Sequence, residues 1–198
     1  MKRNATNIVW AGSAAFVLML LGAASAGCDA REASANTPNA RIERGKYLVN
    51  SVGCNDCHTP WKMGPQGPEP DMTRMLSGHP EAIVVTAPAA PPSGVWENGM
   101  VFGPTMTSFS GPWGVSFAAN LTPDQNTGLG IWTEDMFVRA IRTGRHFGVS
   151  RPILPPMPWP AFRNMTDEDL RSVFAYLRSI PPITNHVPDP IPPAVTTN

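Results

Sequence analysis

The chain has 198 residues, among them 23 prolines, 17 glycines and 3 cysteines, with hydrophobic residues at 42% and six tryptophans. Proline plus glycine is about one residue in five: too little for a low-complexity chain, yet too much for an ordinary helical bundle, because a helix-interior proline costs roughly 3 kcal/mol. Three cysteines exclude a disulfide-rich scaffold. The 15 basic and 15 acidic residues cancel, and no clustered basic excess points to nucleic acid.

The length suits one domain, or one domain with a long insertion. Residues 1–27 have the layout of a secretory signal. Lys2 and Arg3 form a positive start, an apolar stretch centred on Phe16 to Leu21 follows, and small residues lead into Cys28. Ala24-Ser25-Ala26 fits cleavage into a soluble compartment. Ser25-Ala26-Gly27-Cys28 resembles a bacterial lipobox, with Ser25 where a leucine is preferred, and would make Cys28 a lipidated first residue. About 20 apolar residues could also stay as an uncleaved anchor. The lipoprotein reading is preferred, and all three put the remainder outside the cytoplasm. Residues 28–39 are too polar to bury apolar surface and read as a flexible tether.

A helix is expected over 41–52, where Gly45, Leu48, Val49 and Val52 recur on one helical face. Gly53 ends it, directly before Cys54-Asn55-Asp56-Cys57-His58. C-x-x-C-H is the attachment signature of c-type haem. Each sulfur adds to one vinyl group of the porphyrin, and the next histidine supplies an axial nitrogen to the iron. From the chain's own composition such a motif arises by accident in roughly one chain per thousand. A structural zinc site needs a second ligand pair, and a thioredoxin-like pair needs a βαβ setting; neither is evident.

Residues 59–130 carry eight prolines between Pro60 and Pro92 and little periodicity, with 83–86 and 115–117 as possible short strands. A loop of this length is functional or poorly ordered; it reads as an insertion that covers haem edges or forms a partner surface. A second helix is expected over 133–143, capped by Thr133 and closed by Gly144, and a third over 167–180, capped by Thr166 with Asp169 in a capping-box pattern. Leu170, Val173, Phe174 and Leu177 mark the apolar face of the third. Between them, Leu154-Pro155-Pro156-Met157-Pro158-Trp159-Pro160 should be extended and stiff. Residues 183–198 read as a polar, proline-rich tail.

A helix before C-x-x-C-H, a long loop and a C-terminal amphipathic helix together resemble class I cytochrome c over residues 40–182. The resemblance implies an all-α cytochrome c fold with a loop-rich insertion, 59–130, between the haem motif and the second helix. It implies a close approach of Gly45 to Phe174 or Tyr176. It also implies a proline carbonyl, from Pro68 or Pro70, on the second nitrogen of the proximal histidine. The ligand methionine of that family lies in a loop just before the last helix, which selects Met157 over Met63, Met72, Met75, Met100 and Met106. Met136 reads as part of its helix and Met165 as a hydrophobic staple; His79 and His146 are the non-methionine alternatives. Trp61, Trp96, Trp113, Trp132 and Trp159 are candidate haem walls, and Arg145 and Arg151 candidate propionate partners. Asn120-Leu121-Thr122-Pro123-Asp124, Thr127-Gly128-Leu129-Gly130-Ile131-Trp132 and Met157-Pro158-Trp159 look more narrowly like haem domains of cytochrome subunits that serve periplasmic alcohol and sugar dehydrogenases.

The expected function is therefore electron transfer rather than catalysis, in the periplasm or on a membrane anchor. One covalent haem c would be held by Cys54 and Cys57 with His58 and Met157 on the iron. Its partners would be a dehydrogenase, an oxidase or other cytochromes. The alternatives are a haem sensor or enzyme with an open or displaceable sixth position, and a dedicated subunit of a dehydrogenase complex.

Overall fold

The computed structural model describes residues 37–86 and 99–193. The expected signal, Cys28, nearly all of the expected tether, Trp96 and residues 194–198 lie outside them. The chain divides into residues 1–40, described only at their helical end, and the unit 41–198, where all the packing below lies. Among the described residues no helix is long and apolar enough to cross a membrane.

Helix α1 runs from Pro38 to Ser51, three residues ahead of the expected start; proline is well suited to a first helical turn, where its missing N–H is not needed. It buries Gly45, Leu48 and Val49, while Val52, beyond its end, is exposed. Gly53 takes a left-handed φ of 76° and turns the chain at once into α2, Cys54–His58. Helix α3, Glu134–Thr143, has its expected ends: the Thr133 hydroxyl accepts from the Met136 amide, and Gly144 closes it at φ 66°. After the short α4, Trp159–Phe162, comes α5, Asp167–Ser179, whose Thr166 hydroxyl accepts from the Asp169 amide. The other half of the capping box is missing, because the Asp169 carboxylate pairs with Arg44 at 2.9 Å.

The long helices share one core, with Leu48 and Val49 of α1, Phe137 and Ile141 of α3, and Leu170, Phe174 and Leu177 of α5. Gly45 meets α5 at Ser172 and Tyr176: a Cβ on Gly45 would lie 1.9 Å from the Ser172 carbonyl oxygen and 2.8 Å from Tyr176 Cβ. Tyr176 thus makes the expected contact, and Phe174 instead packs on Phe137 with ring centres 5.3 Å apart. Around this apolar centre Glu134 receives both Arg41, at 2.8 Å, and Arg171, at 2.5 Å.

The all-α expectation is overturned. Strands β1, Trp61–Gly64, and β2, Gly67–Pro70, form an antiparallel hairpin. Strands β3, Val101–Phe102, β4, Ser108–Gly111, and β5, Gly114–Phe117, form an antiparallel three-stranded sheet in that order. Residues 59–130 therefore contain ordered secondary structure rather than loop alone. These strands are short and rich in serine, glycine and proline, so their side chains give little period-2 signal. Their stability comes from backbone pairing, and Ser108, Ser110 and Ser116 are buried. Of the two expected strands, 115–117 falls inside β5; residues 83–86 form none and instead follow a turn in which the Ile83 amide donates to the Pro80 carbonyl.

The C-terminal segment also differs from a free tail. Ile191 exchanges backbone hydrogen bonds with Val115 at 2.8 and 2.9 Å, adding to the outer edge of β5. Thr184 donates to Asp124, which also accepts from the hydroxyl and amide of Thr127. These donors, Thr127 first and Thr184 next, hold the Asp124 carboxyl down at about 2. Its folded-state pKa is depressed, so its contribution is present above the ordinary carboxylate pKa of roughly 3.9 and is lost as pH falls toward about 2. In acid titration followed by thermal melting, Asp124→Asn is expected to lose part of the stability at neutral pH and to show a flatter decline between those limits.

Candidate haem attachment site

Helix α2 is one turn and carries every residue of the motif. Cys54 and Cys57, three apart, lie on one side of that turn; both are free thiols. Burial pushes the Cys54 thiol up to about 11 and raises that of Cys57 as well. A dithiol redox pair works through a lowered thiol pKa, so the electrostatics here run against that chemistry. Among the described residues no three His, Cys, Asp or Glu side chains gather as they would around a metal ion.

His58 is buried and its Nδ1 lies 2.7 Å from the Ala119 carbonyl oxygen. A carbonyl only accepts, so the proton sits on Nδ1 and the Nε2 lone pair is left for a ligand. Burial lowers the imidazole pKa, against the opposing effect of the Ala119 carbonyl, and keeps the ring neutral. A neutral, oriented imidazole beside two protonated thiols is the donor set that covalent haem requires. These residues fit the group.

The orienting carbonyl is not the expected one. Pro68 and Pro70 are in β2, paired with Met63 and Trp61. Ala119 is brought to His58 from 61 positions away by a backbone relay. The Gly78 amide donates to the His58 carbonyl at 2.8 Å, the His79 amide to Ala118 at 2.9 Å, and the Ala118 amide to Thr107 at 2.9 Å. Gly78 makes this possible: its φ is +78°, and a Cβ there would lie 2.6–2.7 Å from the Ala119 carbonyl. The motif beginning at Asn120 marked the neighbourhood, but a backbone acceptor leaves no residue-type signal.

Met157 is half-buried and packs against the same core cluster as Cys54. Its strip is not extended throughout, since Pro155 and Pro156 form a turn. The segment is pinned on both sides. The Ser116 hydroxyl of β5 donates to the Pro155 carbonyl, and the Trp159 ring covers Gly144, where a Cβ would meet it at 2.3 Å. Met165 packs against the core just ahead of the Thr166 cap, the staple position, and Met136 is half-buried in α3. Met63 and Met72 are exposed.

His79 is committed elsewhere. Its Nε2 donates to the Ile83 carbonyl at 2.9 Å, and its Nδ1 accepts from the Thr107 hydroxyl at 2.9 Å. His146 stands edge-on to Trp132 and Phe147. Trp132 stacks on Phe147 at 4.5 Å, and Trp113 donates to Ser116 at 3.3 Å. Trp61 Nε1 is enclosed by protein atoms without an acceptor. Arg145 donates to the Ser150 carbonyl at 2.9 Å, and both Arg145 and Arg151 are exposed.

Over most of its length the chain is similar to cytochrome c subunits of dehydrogenases. It is 29% identical over 154 residues to the alcohol dehydrogenase (quinone) cytochrome c subunit of Gluconobacter oxydans, covering 76% of this chain and 24% of that protein. It is 28% identical over 145 residues to the fructose dehydrogenase cytochrome subunit of Gluconobacter japonicus, covering 73% of this chain and 22% of that one. It is 26% identical over 141 residues to the gluconate 2-dehydrogenase cytochrome c subunit of Pantoea cypripedii, covering 70% of this chain and 23% of that protein. The chain spans less than a quarter of the length of each of these relatives. No protein-family model matches it.

Proposed function

We propose that this chain is an electron-transfer protein with one haem c, bound through Cys54 and Cys57, with His58 and Met157 as axial ligands. The observation that carries the reading is the His58 ring. It is buried, neutral and held by Ala119, so that Nε2 alone is available beside two thiols on the same turn. When bound, the haem supplies a one-electron ferric–ferrous couple.

The chain's own residues bind, orient and exclude water. Cys54 and Cys57 would hold the group covalently. Ala119 sets the ring plane and the tautomer of His58. The pinned segment 155–159 presents the Met157 thioether with little entropy left to lose on binding. The core beneath α1, α3 and α5 keeps the surroundings apolar, and His/Met ligation with a dry site favours a high potential. The relatives' names point to a dehydrogenase as the electron donor. The export signal puts the protein outside the cytoplasm, anchored through a lipid on Cys28.

The test is the optical spectrum of the purified protein, oxidised, reduced, and reduced under carbon monoxide. The expected result is a c-type haem retained after acid–acetone extraction, and no carbon monoxide complex. Extractable or absent haem overturns the reading. A ready carbon monoxide complex would favour the sensor or enzyme alternative, with an open sixth position.

A further inference from the structure

Residues 181–193, which sequence marks only as the end of the last helix and a polar tail, cross the molecule as a strap. The strap touches the two segments that hold the Ala119 carbonyl against His58. On one side Asn185, 2% exposed, donates through Nδ2 to the Ser77 carbonyl at 2.7 Å and the His79 carbonyl at 2.9 Å. Its Oδ1 accepts from Arg74 and from the Glu81 amide. Gly78, between those two carbonyls, donates to the His58 carbonyl and lies directly under the Ala119 peptide. On the other side Asn120, 4% exposed and next to Ala119, donates through Nδ2 to the Ile183 carbonyl of the strap at 2.8 Å. The Ile183 amide donates in return to the Thr122 hydroxyl at 3.0 Å. Thr127 joins both, accepting from the Asn185 amide at 3.1 Å and from Asn120 at 3.2 Å.

We propose that the strap, through Asn185 and Asn120, positions the Ala119 carbonyl on His58 and thereby sets the ferric–ferrous balance of the haem. The inference rests on the haem reading above. A carbonyl that accepts from Nδ1–H raises the basicity of Nε2 toward its metal, which favours the ferric state. If the strap lets the two segments separate, the acceptor moves off and the balance shifts toward ferrous. Asn185 and Asn120 are positioning residues: each acts on His58 only through the placement of the Ala119 carbonyl.

The experiment uses the full-length haem-loaded protein. Redox titration and hydrogen–deuterium exchange of the His58 Nδ1–H by NMR are compared for wild type, Asn185→Ala, Thr127→Val and Arg44→Gln. Asn185→Ala is expected to shift the equilibrium toward ferrous by about tenfold, the smaller end of what losing a ligand's hydrogen-bond partner does to metal affinity. For a one-electron couple that is about 59 mV upward, with faster Nδ1–H exchange. Thr127→Val, which removes the shared hydroxyl together with its bond to Asp124, is expected to move both readouts the same way by less, and it carries the test if Asn185→Ala does not fold. Arg44→Gln, remote from His58, should alter stability alone. Strap variants that bind haem and melt earlier, but keep the wild-type potential and exchange rate, overturn the proposal while leaving the haem assignment intact. Absence of covalent haem in the wild-type protein overturns both.

Discussion

Met157→Ala is expected to abolish the far-red thioether-to-iron band of the oxidised protein and to make the reduced protein bind carbon monoxide. The methionine sits between two fixed points, the Pro155 carbonyl that accepts from Ser116 and the Trp159 ring on Gly144. Alanine keeps that segment and removes only the sulfur-bearing arm. Axial ligands span roughly 0.8 V of haem potential, so losing the methionine should lower the potential by an amount on the order of 0.1 V or more. The half-burial of Met157 limits the packing cost, so the variant should still load haem. A surviving band would show that another side chain fills the sixth position. Met75, half-buried against the core, would be next to test, since His79 has both nitrogens engaged.

Gly45→Ala is expected to destabilise the protein by about 2 kcal/mol or more. Helix propensity alone would favour alanine by roughly 1 kcal/mol. Against that, the new Cβ would stand 1.9 Å from the Ser172 carbonyl oxygen and 2.8 Å from Tyr176 Cβ. Neither atom belongs to a flexible chain end, so α1 and α5 must move apart. Overpacking of this kind costs about 1–3 kcal/mol and occasionally more, and a wider crossing also loosens Leu48 and Val49 in the shared core. Urea unfolding of the haem-loaded protein measures it as a lower midpoint with an unchanged slope. A midpoint equal to wild type would mean that the crossing tolerates a methyl group.

These two variants probe features that differ in how far the sequence revealed them. Helix ends were legible, because periodicity and caps are local signals: Thr133, Gly144 and Thr166 stand at helix ends in both sequence and structure. The contact of Gly45 was implied by the family resemblance alone, which left Phe174 and Tyr176 both open, and the structure settles it on Tyr176. Apart from 115–117, which falls inside β5, the two sheets were not legible. Ser108–Gly111 has only one large apolar residue, and what makes it a strand is its pairing with Gly114–Phe117 and with Val101–Phe102. The capping box at Thr166 was half legible, since Asp169 had a competing partner, Arg44, 125 positions away.

By itself, the sequence supplied the residues on which the proposed haem attachment rests. Cys54, Cys57 and His58 fall within five consecutive positions, so their identities and spacing state the attachment pattern without a fold. The ends of α3 and α5 follow from residues within a turn of each cap. Only the tertiary structure decided what holds His58. The acceptor is a main-chain carbonyl at Ala119, indistinguishable by residue type from any other, and it reaches the ring because Gly78 has no side chain and a positive φ. The role of residues 181–193 was decided there too. Their prolines and polar residues look like a tail in one dimension, and become a strap through Asn185, Ile183 and Ile191, whose partners lie 58 or more positions away. Backbone groups must find partners when buried, and which partner they find depends on the assembled chain.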